Sequence, residues 1–224
     1  MKIKTVLFDL DGTLTDSGPG IMNGVEYALK KYGMEVTERS SLESFIGPPL
    51  AAQFQKFCGI SQEESFRAVE YYREYYTDKG IFENEVYEGI PELLEALKKD
   101  GLQLAMATSK PEKFAKIIAE HFQLDGYFDV IGGSLMDGGR TNKAEVIEYV
   151  LEACSVTDRD TVLMIGDRDY DIIGAKAAEV HSMGVLFGYG TKEELEEADA
   201  EFIVSTPIEA IEVIRGMSVS VADE

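Results

Sequence analysis

Two acids one residue apart, Asp9 and Asp11, end a short apolar run and are followed by Gly12. An apolar run closed by Asp-Gly reads as a buried strand that stops at a turn. Residues two apart on an extended chain share a face, so the two carboxylates approach and repel. A divalent cation relieves that conflict, and Mg²⁺ suits hard oxygen donors. With a metal present the acids can divide the labour. One carboxylate attacks phosphorus and becomes an aspartyl-phosphate, while the other carries a proton to the leaving oxygen. A solvated Asp-Gly turn is an ordinary alternative, and the pair alone leaves both readings open.

Three more segments bear on the choice. Thr108-Ser109 follows a second apolar run, offering hydroxyls and N–H groups at a strand end, although Ser and Thr are also common turn residues. Lys143 sits beside a helix-capping residue, Asn142, where a cation opposes the helix dipole. A local rule broken in this way often marks a functional site, and a solvated surface lysine is the plain alternative. Gly166-Asp167-Arg168-Asp169-Tyr170-Asp171 follows another apolar run. Asp167 is placed to complete a metal site, Asp169 to cap the next helix, and Asp171 to orient Lys143 or a metal-bound water.

The elements that must position these residues alternate. Apolar runs are expected as strands at 5–10, 102–107, 128–131, 162–165 and 185–187, with a short last strand at 201–205. Helices are expected at 91–100, 111–122, 142–153, 169–178 and 191–198. Alternation of this length implies right-handed crossovers and a parallel sheet covered on both faces. The stretch 17–87 breaks the pattern. Ile21, Val25, Leu29 and Tyr32 recur at helical spacing, and Ser61 with Glu64 forms a capping box before Phe66, Val69, Tyr72 and Tyr76. The expectation is an α/β, doubly wound Rossmann-like core (1–16 and 88–224) with an all-helical insert (17–87). The tail after Arg215 is expected to fray.

The bulk properties bound the function. The 224-residue chain is 45% hydrophobic, enough for a packed core, and its formal charge of −21 argues against nucleic-acid and anionic-membrane partners. Any phosphate site must therefore supply positive charge locally. Cys58 and Cys154 lie far apart and make no disulfide framework. The N-terminal apolar run is broken by Asp9 and Asp11, unlike a signal peptide, and no stretch suits a bilayer span. A cytoplasmic protein is expected.

In order along the chain, FDLDGTLTDS, MATSK, the lysine of TNKAE and MIGDRDYD resemble the four motifs of the haloacid dehalogenase superfamily of phosphotransferases. The resemblance covers nearly the whole chain. It implies a helical cap after the first strand, Asp9 as nucleophile and Asp11 as general acid/base. It further implies phosphoryl binding by Thr108, Ser109 and Lys143. Mg²⁺ would be held by Asp9, the backbone carbonyl of Asp11, and Asp167, with Asp171 in support. The presence of Asp11 speaks against a dehalogenase, and the absence of lysine between Thr15 and Lys30 against a phosphonatase. The Gly47-Pro48 loop lacks the arginine usual in β-phosphoglucomutases. The chain looks closest to phosphoglycolate phosphatases and 5′-nucleotidase-like members, acting on a small phosphorylated metabolite. Asn23, Gly47 and Pro48 are candidate cap residues for specificity. A sugar-phosphate phosphatase or phosphomutase is the alternative within the superfamily. A non-catalytic binding protein would require a lost nucleophile or ligand. A phospho-acceptor signalling domain would place its acid after a middle strand.

Overall fold

The computed structural model describes residues 2–219. In chain order the strands and α-helices are β1 (Thr5–Phe8), β2 (Thr15–Asp16), α1 (Gly18–Lys31), α2 (Leu50–Cys58), α3 (Gln62–Tyr76), β3 (Glu85–Val86), α4 (Ile90–Lys99), β4 (Gln103–Pro111), α5 (Glu112–His121), β5 (Val130–Ser134), α6 (Lys143–Ala153), β6 (Val162–Gly166), α7 (Asp169–Ala177), β7 (His181–Val185), α8 (Lys192–Glu197), β8 (Phe202–Val204) and α9 (Pro207–Val219). The chain divides into two compact units, one formed by residues up to Leu14 and from Val86 onward, the other by Thr15–Glu85.

The first unit is built on one six-stranded parallel sheet of order β5-β4-β1-β6-β7-β8. This is the α/β, doubly wound architecture expected from the alternation of runs. Strand β1 is buried along its whole length, because helices cover both faces of a parallel sheet. Leu7, Ala105, Met164, Val146 and Val150 pack into one apolar cluster beneath α6. The chain leaves β1 toward β4 and β5, then returns to β6 on the other side. Strand order reverses there, and ligands of open α/β sheets bind outside the carboxyl ends of the strands at such a point.

Several expected boundaries move. Strand β4 continues through Thr108 and Lys110 to Pro111, with a register shift between Ala107 and Pro111. Strand β7 lies at His181–Val185, ahead of the apolar run at 185–187. A strand with neighbours on both sides need not be wholly apolar, and Gly184 gives the room that Leu195 fills. The tail does not fray immediately after Arg215. Helix α9 runs to Val219 because Ala210, Ile214 and Met217 continue a buried stripe. Residues 220–224 of that expectation lie outside the described ones.

The second unit is helical apart from the two-residue strands β2 and β3, which pair. Helix α3 begins in the expected capping box: Ser61 Oγ accepts from Glu64 N, and the Glu64 carboxylate accepts from Ser61 N. Helix α2, which apolar spacing did not reveal, begins after Pro49 and ends at Gly59 in a left-handed conformation. Its Phe54 packs edge-on against Phe45 at 4.9 Å. Tyr72 and Tyr76 stack at 4.9 Å in the interior of this unit, whereas Tyr27 lies against Tyr75 at 5.8 Å.

Candidate active site

The acids and the lysine meet at the carboxyl edge of the sheet. Asp9 follows β1, and its N–H donates to Ile165 O at 2.9 Å, tying it to β6. Asp167 follows β6, and Asp171 lies in the first turn of α7. Asp9, Asp167 and Asp171 are buried, and each offers an oxygen within 4.8 Å of the others. Lys143 Nζ reaches between two of them, 3.0 Å from Asp9 Oδ1 and 2.8 Å from Asp171 Oδ1. It also donates to Ala107 O at 3.0 Å.

Local chemistry explains each placement. Asn142 caps α6 by accepting from Ala144 N at 2.9 Å, which makes Lys143 the first helical residue. The unfavourable end of the helix dipole is offset by two carboxylates. On α7, a Cβ at position 174 would collide with the Lys143 stem, so Gly174 lets the lysine pass. Asp171 Oδ2 accepts from Arg168 N at 3.1 Å, which fixes its carboxylate against the turn. Arg168, not Asp169, holds the N-cap position of α7. Asp167 accepts from Tyr189 N at 2.8 Å and from Thr13 Oγ1 at 3.3 Å. Gly12 has φ +80 and would drive a Cβ into the Asp167 carboxylate, so this turn requires glycine twice over.

The side chain of Asp11 goes elsewhere. Lys110 Nζ sits 2.8 Å from both Asp11 carboxylate oxygens, and both residues are buried. The three-acid cluster is thus Asp9, Asp167 and Asp171. Of the expected ligands, Asp11 contributes no side chain to it. Thr108 is buried, and its Oγ1 accepts from Lys110 N at 3.2 Å. Ser109, half-buried, follows it on β4. Asn23, Gly47 and Pro48 belong to the second unit. There Asn23 donates to Glu83 Oε2 at 2.8 Å and accepts from Arg39 at 2.6 Å. Gly47 has φ +98 in the loop before α2.

Sequence reasoning missed Lys110 and the 188–190 loop. Lys110 stands two residues after Thr108 and so shares its face on an extended strand, a signal that was present in MATSK. The loop shows only as Gly188-Tyr189-Gly190. Its glycines permit close approach, since a Cβ at either would strike Gly12, Asp167 or their backbone.

Electrostatics make this cluster costly without a cation. Burial raises the Asp9 carboxyl to about 6, against the opposing pull of Lys143. Burial, reinforced by Asp171, pushes Asp167 well above the usual range, with the Tyr189 N–H working the other way. Burial pulls Lys143 down, but Asp171 and Asp9 outweigh it and hold the ammonium charged. Three buried carboxylates converge around one ammonium that pairs with only two of them, so negative charge is in excess where oxygen donors meet. A hard divalent cation fits that donor set.

The profile of the haloacid dehalogenase-like hydrolase family matches residues 6–185, and the chain belongs to that family. A 5′-nucleotidase of Pseudomonas aeruginosa is 44% identical over 195 residues, which cover 87% of this chain and 88% of the relative. A phosphoglycolate phosphatase of Aquifex aeolicus is 31% identical over 212 residues, 95% of this chain and 97% of the relative. The crystal structure of a predicted phosphatase from Clostridium acetobutylicum superposes with a TM-score of 0.94 at 46% identity, covering 96% of this chain and 100% of that one. Within its family the chain is a phosphatase. Among the described residues no helix is long and apolar enough to cross a membrane.

Proposed function

We propose that the chain is a Mg²⁺-dependent phosphomonoesterase working through an aspartyl-phosphate on Asp9. The observation that carries this reading is Asp9 itself: buried, at the strand edge, touched by Lys143 and flanked by Asp167 and Asp171. Asp9, Asp167 and the Asp11 carbonyl would hold the ion. When bound, it supplies positive charge to the phosphoryl oxygens and keeps Asp9 ionised.

The chain's own residues divide the remaining work. Thr108, Ser109 and Lys143 hold the phosphoryl group, and Asp171 steadies Lys143. A carboxylate oxygen of Asp9 bonds to phosphorus as the ester P–O bond breaks, and Asp11 gives its proton to the leaving oxygen. Water then attacks the phospho-enzyme. Asp11 takes its proton, and the bond to Asp9 breaks to release inorganic phosphate. The insert (17–87), carried within the core sequence (1–16 and 88–224), sets specificity through residues such as Asn23, Gly47 and Pro48. The substrate is a small metabolite of the nucleoside monophosphate or phosphoglycolate class, in line with the names of the relatives above.

Hydrolysis of phosphoglycolate and a panel of nucleoside monophosphates, with and without chelator, tests the reading. Turnover should vanish in chelator and return with Mg²⁺. Asp9→Asn should be inactive yet folded, and beryllium fluoride should form its adduct on Asp9. Full activity of Asp9→Asn, or an adduct elsewhere, would overturn it.

A further inference from the structure

Among the described residues, two buried lysines pair with three of four buried acids. Lys143 pairs with Asp9 and Asp171, inside the three-acid cluster. Lys110 reaches across the sheet edge to Asp11 and meets both carboxylate oxygens at 2.8 Å. Side-chain exposure is only 5% for Lys110 and 9% for Asp11. An ammonium at that distance from both oxygens makes a charge-assisted contact that holds the carboxylate facing it. Lys110 is itself held by strand geometry, because its N–H donates to Thr108 Oγ1 at 3.2 Å. Asp11 lies two residues from Asp9, close enough that an untethered carboxylate could turn toward the cation site as an extra ligand.

We infer that Lys110 is a positioning residue that acts through Asp11, holding its carboxylate toward the leaving-group oxygen and out of the metal ligand set. The inference rests on Asp11 as the acid/base and extends it. Lys110 forms no bond with substrate in this scheme and its charge does not change. The proton that Asp11 takes from water in dephosphorylation is the one it delivers to the leaving oxygen in the next turnover. Lys110 determines where Asp11 stands when those transfers occur.

The test compares Lys110→Met, Lys110→Arg, Asp11→Asn and the double variant Lys110→Met/Asp11→Asn on two aryl phosphates and one alkyl phosphate. General acid–base assistance is worth about 10²–10⁴-fold, and a poor leaving group needs it most. Lys110→Met should lose about 100-fold or more in kcat on the alkyl phosphate. On 2,4-dinitrophenyl phosphate, measured in single turnover, it should lose less than about tenfold. The double variant should lie within about threefold of Asp11→Asn, because the two residues act as a unit. Lys110→Arg keeps the cation and should recover part of the alkyl-phosphate rate. If Lys110→Met unfolds, the leaving-group dependence of the folded Lys110→Arg variant carries the same comparison, and an unchanged dependence there overturns the inference. Equal losses on good and poor leaving groups, or losses that multiply in the double variant, would also overturn it. Failure of the parent reading looks different: Asp9→Asn would turn over, or Asp11→Asn would leave leaving-group dependence unchanged.

Discussion

Replacing Lys143 with Met removes the one ammonium that, among the described residues, touches both Asp9 and Asp171 and leaves the buried acids facing one another. The side chains of all three are at most 5% exposed, so solvent cannot screen what remains. Breaking a buried ion pair from one side costs about 3–5 kcal/mol, since the partner stays buried without compensation. For a chain of this size that is a fall in Tm of about 6–20 °C. The dependence on pH has a defined sign. Burial already raises Asp9 to about 6, so in the folded state its ionisation is disfavoured, and removing Lys143 disfavours it further. The destabilisation is therefore full above the variant's still higher Asp9 value and shrinks as the pH falls from there toward about 6, where Asp9 of the parent also takes up its proton. Mg²⁺ works against it: at 100 times its Kd a ligand of the folded state adds about 2.7 kcal/mol. Urea unfolding of parent and variant in chelator at pH 7.5 and pH 5.5, then in Mg²⁺ at pH 7.5, measures each part. A loss below about 1 kcal/mol in chelator at pH 7.5, or an equal loss at both pH values, would refute the reasoning from buried charge.

Ser61→Ala removes the oxygen that accepts from Glu64 N at 3.3 Å and should destabilise the helical unit by about 0.5–2 kcal/mol, read as faster amide exchange along α3. Burial pushes the Cys154 thiol up to about 11, whereas a free thiol has a pKa of about 8.5, so its thiolate fraction at pH 8 is about 200-fold lower than in the unfolded chain. Iodoacetamide should label it in urea and leave it essentially untouched in the native protein; comparable native and denatured labelling rates would contradict its burial.

Much of the core was legible before any coordinates. Apolar runs alternating with capped helical stretches dictate a parallel sheet, because both faces of each strand must be covered. Asp9, Lys143 and Asp167 stand where strands end or helices begin, and punctuation of that kind is written locally. The capping box at Ser61 and Glu64 was equally plain, since its two bonds close within four residues. The extent of β7 was not, because an inner strand can be built from Ser182 and Gly184 when its neighbours supply the apolar surface. Helix α9 extends past Arg215 for a similar reason: its stripe gains value only from what it packs against.

The division of acids between two lysines was decided by tertiary structure. Asp11 and Lys110 are 99 residues apart, and no spacing rule joins them. Their pairing depends on β1 and β4 lying side by side in register, Phe8 opposite Met106, which brings the segments just beyond them together. Asp171 reads in sequence as a partner for Lys143 or for a metal-bound water, and the crossing of α6 and α7 at Gly174 presents it to Lys143. Residue types and their places at element ends are local properties and can be read from the chain. Which carboxylate faces which cation is a property of the packed sheet, because it is set by distances between segments far apart in sequence.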